Sequence, residues 1–221
     1  MGMGANIRQQ IAKRAAEEVH PRMIVNLGIG IPSLVPDFIE DKETIFFQVE
    51  NGILGLSDKP QIGEEDENLC NAGGLPVTLR TGGCYFDSAT AFAMIRKGKI
   101  DLTILGALQV SQRGDLANWI VPGKRVPGMG GAMELASKAK QVIVTMNHCD
   151  KSGRSKIVKK CDLPLTAKAC VSMIVTEMAV FSIVEGELIL MEYFYPFTIA
   201  HIQSVTEASF TISEDVSVIG G

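Results

Sequence analysis

The sequence predicts an α/β fold, a single domain over residues 1–221 with a mostly parallel sheet flanked by helices. Three observations predict it. From Ile7 to Val49 the order is helix, strand, glycine turn, helix, strand, which implies parallel pairing. The run from Ile100 to Val110 is almost continuously apolar, as befits a central strand covered on both faces. The 221 residues hold no internal repeat, low-complexity run or linker, and suffice for one sizeable core.

The elements follow in order. Ile7 to His20 places Ile7, Ile11, Ala12 and Ala15 on one face, with Arg8, Lys13, Arg14, Glu17 and Glu18 elsewhere, so an amphipathic helix is predicted, ended by Pro21. Met23 to Leu27 reads as a short strand, Ser33 to Ile39 as a helix, and Thr44 to Val49 as a buried strand rich in β-branched and aromatic residues. After an acidic excursion from Ser57 to Asn71, short strands are expected at Val77–Leu79 and Cys84–Phe86. Asp87 or Ser88 can N-cap a helix running through Ile95. Beyond the apolar run at 100–110, a helix is predicted from Ala132 to about Ala139 and strands at Gln141–Met146 and Lys156–Cys161. Val171 to Val184 and Glu187 to Tyr193 read as paired strands around Glu185-Gly186. A helix from Thr198 to Ala208 and a strand at Phe210–Ile212 close the chain.

Three places carry chemistry. Glu50 arrives where the strand ending at Val49 should stop, followed by Asn51-Gly52, a dipeptide that favours a sharp reversal. In a parallel sheet ligands bind at the carboxyl ends of strands, where Glu50 is presented. The plain alternative is an acid that caps a strand before a tight turn. Gly28-x-Gly30 lacks a third glycine for a dinucleotide site, but lets the backbone pass close to a ligand or to the neighbouring strand. Gln112 to Gly131 is a long loop with the only tryptophan, and it closes on Gly128-Met129-Gly130-Gly131 ahead of a helix. Glycines there leave backbone N–H groups free to meet negative charge, or serve only to pack a helix start tightly.

Composition narrows the classes. Apolar residues are 46% and charged residues 21%, the net charge is −4, and no Lys/Arg-rich block occurs, so neither nucleic acid nor an anionic membrane is an expected partner. The first residues lack a basic start and apolar core of a signal peptide, and the longest apolar run is too short to span a bilayer, so the cytoplasm is the expected compartment. Five cysteines without a Cys-x-x-Cys pair, and scattered His20, His148 and His201, point to structural thiols and to no metal site.

Seven strings, in order, resemble a known family: Val25-Asn26-Leu27-Gly28-Ile29-Gly30-Ile31-Pro32, Glu50-Asn51-Gly52-Ile53-Leu54-Gly55, Asn71-Ala72-Gly73-Gly74, Phe86-Asp87-Ser88, Ala117-Asn118-Trp119-Ile120-Val121-Pro122-Gly123-Lys124, Gly128-Met129-Gly130-Gly131-Ala132-Met133 and Leu163-Pro164-Leu165-Thr166. The chain is similar, from about Ile7 to Phe210, to the B (β) subunit of the family I, 3-oxoacid CoA-transferases. The resemblance implies the α/β fold shared with sugar-phosphate isomerases, an A-subunit partner in an α2β2 assembly, and acyl-CoA and carboxylic acid substrates. It implies no cofactor, since CoA is a substrate.

It also places the family's catalytic glutamate on Glu50, which would attack an acyl-CoA thioester and pass through a glutamyl-CoA thioester in ping-pong catalysis. Carboxylates are ionised at neutral pH, so no base is needed. Positioning and exclusion of water make such a weak nucleophile effective. Gly130 and Gly131 are the candidate oxyanion donors, because each tetrahedral intermediate needs backbone N–H partners. Gly28, Gly30, Asn51 and Gly52 are candidate substrate-side positions, and Lys124 a candidate phosphate or pantetheine contact, with a solvated loop lysine as its alternative. Trp119 reads as a packing anchor. Val49 stands where the family usually has serine, Glu134 where Asp is usual, and Arg96-Lys97-Gly98-Lys99-Ile100-Asp101 and the aromatic Tyr193–Phe197 also depart from the pattern. A thioester hydrolase using the same glutamate, and a non-catalytic protein that binds a metabolite, are the competing expectations.

Overall fold

The parallel core expected from the glycine-turn order lies at the centre of a longer sheet. The computed structural model describes residues 4–123 and 128–220. In its first half are α1 (Ala5–Ala16), β1 (Ile24–Leu27), β2 (Phe46–Val49), β3 (Ile53–Leu56), β4 (Leu79–Tyr85) and α2 (Ser88–Arg96). Then come β5 (Leu102–Gly106), β6 (Gln109–Ser111), β7 (Leu116–Ala117), α3 (Ala132–Lys138), β8 (Gln141–Thr145) and β9 (Ile157–Val158). The chain ends with β10 (Met173–Val175), β11 (Ala179–Val184), β12 (Glu187–Phe194), α4 (Ile199–Val205) and β13 (Thr211–Ile219).

Ten strands form one sheet in the order β13-β12-β11-β10-β8-β5-β1-β2-β3-β4. Its middle, from β10 to β2, is parallel throughout. Antiparallel strands extend it on both sides, β3 and β4 beyond β2, and β11 and β12 beyond β10. The parallel strands therefore all end on one edge, with Glu50 after β2, Gly28 after β1 and Ala107 after β5.

Strand alternation builds two cores. Val25, Phe47, Val49, Leu102, Ile104 and Ile143 face α1, where Ile11, Ala12 and Ala15 are fully buried. Leu105, Val142, Val144 and Ile174 face the other way, under the small β7-β6-β9 sheet and α4. Ile24, Ile95, Ile100 and Leu135 form a third cluster beneath α2 and α3. Each fully buried Val, Leu, Ile or Phe there contributes about 1.5–3 kcal/mol, and truncating Ile104 to alanine would cost about 2–5 kcal/mol.

Several predicted elements differ. Ile7 is exposed, whereas Arg14, assigned to the polar face, is buried. Burial works against its charge, but hydrogen bonds to Glu192 and Glu18 more than offset that and raise its pKa. The bidentate contacts to Glu192 at 2.6 and 2.8 Å pin α1 to β12. Pro32–Phe38 is a 3-10 helix, consistent with Pro36 inside it removing an α-helical donor. The two short strands expected around Thr81-Gly82-Gly83 are one continuous strand, β4. The run at 100–110 splits into β5 and β6, in different sheets, at Ala107-Leu108. The run at 171–184 likewise divides at Thr176–Met178, and β13 extends to Ile219, well beyond Ile212.

Candidate active site

Glu50 follows β2 as the first residue of a three-residue hairpin loop. The Gly52 N–H donates to the Val49 carbonyl at 3.1 Å, and Val49 pairs with Ile53. Gly52 carries the positive φ, +112°, that closes the turn. A side chain there is also impossible on contact grounds, since a Cβ would lie 1.9 Å from the Phe86 carbonyl oxygen. The Phe86 N–H in turn donates to the Gly52 carbonyl at 2.9 Å. The turn is thus locked between β2 and the start of α2, itself capped as predicted by Asp87, which accepts from the Thr90 N–H at 2.7 Å. Asn51 Nδ2 donates to the Cys70 carbonyl at 3.2 Å.

The glutamate lies on the face of the sheet that carries α2 and α3, above a buried polar row. Asn26 and Gln48 are paired across β1 and β2, and both are 1% exposed. Asn26 Nδ2 donates to Gln48 Oε1 at 2.9 Å, to the Gln48 carbonyl at 3.1 Å and to Glu50 Oε2 at 3.1 Å. Because Nδ2 can only donate, the Gln48 oxygen must face it, leaving Gln48 Nε2 buried with no acceptor among the described residues. An orphaned donor costs about 1–3 kcal/mol. Such a cost, two residues from Glu50, marks a position where packing alone does not set the residue.

The other carboxylate oxygen meets glycine. A Cβ on Gly131 would stand 3.1 Å from Glu50 Oε1, 3.2 Å from its Cγ and 3.3 Å from its Cδ. Gly131 therefore lets the backbone before α3 come against the carboxylate. Neither Gly130 nor Gly131 donates its backbone N–H to an acceptor among the described residues, and of the two it is Gly131 whose Cβ position meets Glu50.

The remaining expected positions divide. Gly28 is close to the neighbouring strand, its N–H bonding the Ile104 carbonyl at 2.9 Å and its missing Cβ 3.3 Å from the same oxygen. Gly30 has φ +97°, with Arg8 the nearest group. Lys124 lies outside the described residues. Trp119 donates its indole N–H to the Leu165 carbonyl at 3.3 Å, as an anchor does. Val49 is buried with Phe47 and Ile53 on the α1 side, so its side chain does not face the carboxylate. All five cysteines are free, and burial pushes Cys161 up to about 12 and Cys170 up to about 11, which keeps them as inert thiols. Asn26 and Gln48 are the site residues that sequence reasoning passed over. The available signal was a polar residue inside each of two apolar strands.

Residues 8–202 match the family described as coenzyme A transferase. The beta subunit of a probable coenzyme A transferase of Bacillus subtilis is 58% identical over 212 residues, covering 96% of this chain and 98% of that one. The beta subunit of an acetate CoA-transferase of Haemophilus influenzae is 51% identical over 95% of this chain and 94% of its own length. The B subunit of a probable succinyl-CoA:3-ketoacid coenzyme A transferase of Bacillus subtilis is 49% identical, with 95% and 97% covered. Among solved structures, the apoenzyme of the acyl-CoA transferase YdiF of Escherichia coli O157:H7 superposes with TM-score 0.80 at 19% identity, over 100% of this chain and 44% of that one, a likeness of fold.

Proposed function

This chain belongs to the coenzyme A transferase family, and on that premise we propose that it is the glutamate-bearing B subunit of a 3-oxoacid CoA-transferase. The observation that carries the reading is Glu50, held at the carboxyl edge of the parallel sheet with Oε2 on Asn26 and Oε1 against the Gly131 backbone.

In this reading Oε1 attacks the thioester carbonyl of an acyl-CoA. The tetrahedral oxyanion is met by the N–H groups of Gly130 and Gly131, and the intermediate collapses to a glutamyl-acyl anhydride and CoA thiolate. The thiolate then attacks the glutamyl carbonyl of the anhydride, releasing the first carboxylic acid as its anion and leaving CoA on Glu50. A second carboxylate reverses both steps and leaves with the CoA. Proton transfer is needed at neither stage. The protein's part is alignment and charge stabilisation, where a single lost oxyanion donor commonly costs about 10²–10³ in rate.

An A subunit completes the site. Ile29, Leu75, Tyr85 and Met133 are 46–69% exposed, large and apolar; Tyr85 precedes Phe86, which holds the Gly52 turn, and Met133 lies two residues beyond Gly131. Such a surface fits burial against a protein partner. The relatives named as beta or B subunits support the same arrangement. Their names divide over the acid, acetate in one and a 3-ketoacid in another, and the A subunit decides much of that pocket.

The test is kinetic. With its A subunit, the chain should transfer CoA between acetoacetyl-CoA and a carboxylate with parallel double-reciprocal lines. Hydrolysis without stimulation by added acid would instead identify a thioesterase.

A further inference from the structure

Lys156 is a nucleophile that the transfer mechanism leaves unused. It stands on the wall of a second cleft, formed mainly by the segments after β8 and β9 with Leu108 and Gln109. The cleft volume of about 510 Å³ admits the acyl end of a small thioester. The backbone of Lys156 is fixed on both sides: its N–H donates to the His148 carbonyl at 2.9 Å, and its carbonyl accepts from the Val110 N–H at 2.9 Å. The side chain is half-buried, and Nζ donates to the Ala107 carbonyl at 2.7 Å. The amine is thus held at the cleft, while Lys151 and Lys160 on the same cleft are exposed.

Two opposing effects set its charge. Burial favours the neutral amine, whereas Glu177 and Asp150, from beyond ion-pair distance, favour the ammonium. Burial is the larger effect and brings the pKa down from 10.5 to about 8. Lys151, Arg154, Lys160, Asp162 and Glu207 are the other charges that line the cleft. At pH 7.5 about a quarter of Lys156 amines are then neutral, against about one in a thousand for an ordinary lysine. Lower basicity also weakens a nucleophile. At the slope of about 0.4–0.5 known for thiols, it takes back about 15-fold of that roughly 200-fold gain. An advantage of about tenfold over an exposed lysine is left.

We propose that Lys156 is a site of self-acylation by acyl-CoA, the substrate class of the transferase reading on which this rests. Neutral Nζ attacks the thioester carbonyl, the C–S bond breaks, CoA leaves as its thiolate, and Nζ gives up one proton to solvent. The resulting amide is uncharged and keeps one N–H. The contact to Ala107 therefore survives, while Glu177 and Asp150 lose the cation they act on. Abundant acyl-CoA thereby marks the enzyme itself, at a position apart from Glu50.

The test uses the complex with the A subunit carrying Glu50→Gln, so that no acyl group passes through the nucleophile. Incubated with acetyl-CoA at pH 7.5, its peptides should gain acetyl on Lys156 at least about fivefold faster than on Lys151 or Lys160. The rate at Lys156 should level off above about pH 9, whereas that at the exposed lysines keeps rising towards about pH 10. Acetylation of Lys156 no faster than that of Lys151 and Lys160, or a rate that climbs with theirs, overturns the proposal. Neither result bears on the transferase reading, which the CoA adduct on Glu50 in the wild type decides.

Discussion

Gly131→Ala separates positioning of the nucleophile from stability of the fold. The backbone at Gly131 has φ −80° and ψ 0°, which alanine adopts without strain. Its only cost is contact: the new methyl would sit 3.1 Å from Glu50 Oε1 and 3.2–3.3 Å from Cγ and Cδ. Relief to an ordinary contact near 3.6 Å moves the carboxylate by about 0.5 Å, and misplacement by about 1 Å can cost 10²-fold. We expect kcat to fall about tenfold while the melting temperature of the complex stays within about 2 °C. Gly130→Ala is the counterpart. Its Cβ meets nothing within 4 Å, but its φ is +56°, so it should cost about 1 kcal/mol of stability and disturb Glu50 less. The assays are steady-state CoA transfer and thermal unfolding on the same preparations. Full activity in Gly131→Ala, or a loss of activity matched by a loss of stability, would refute the reasoning.

Other expectations follow from the same geometry. Gly52→Ala places a Cβ 1.9 Å from the Phe86 carbonyl oxygen at φ +112°, so it should destabilise the fold by roughly 3 kcal/mol or more, read as a lowered denaturant midpoint. Gln48→Leu removes the orphaned donor but also one acceptor that holds the Asn26 amide, so kcat should drop about fivefold with folding stability unchanged or higher. His148 is fully buried between Thr176 and Thr206, and burial, with a smaller contribution from His201, lowers its pKa from 6.5 to about 4. The fold favours the neutral ring, so this contribution is complete above pH 6.5. It is lost as pH falls from 6.5 towards 4, at up to about 1.4 kcal/mol per unit. Urea midpoints across that range should show the loss in wild type and a shallower one in His148→Gln.

Much of this was legible in the sequence for physical reasons. Glycine turns after short apolar strands announced the parallel centre, and the Glu50-Asn51-Gly52 pattern located a strand-end carboxylate. The Glu185-Gly186 reversal between β11 and β12 was equally plain, with φ of 53° and 80° at its two residues. What stayed hidden is what register and distance decide. Asn26 and Gln48 are 22 residues apart, and only the pairing of β1 with β2 brings them under Glu50. Arg14 looked like a surface cation because its partner, Glu192, lies 178 residues away. The run at 100–110 gave no break at Ala107-Leu108, since apolar residues serve both the main sheet and the small one. Val49 drew notice as the neighbour of the nucleophile, but alternation along β2 turns its side chain to the opposite face.

The central claim is that Glu50 forms a covalent bond to CoA. It is tested most directly by incubating the complex with acetoacetyl-CoA in the absence of acceptor acid, then weighing this chain and mapping its peptides. The account predicts a CoA thioester on the peptide containing Glu50, discharged by an added carboxylate and absent in Glu50→Gln. An unmodified chain under conditions where transfer proceeds, or an adduct on any other residue, would contradict it.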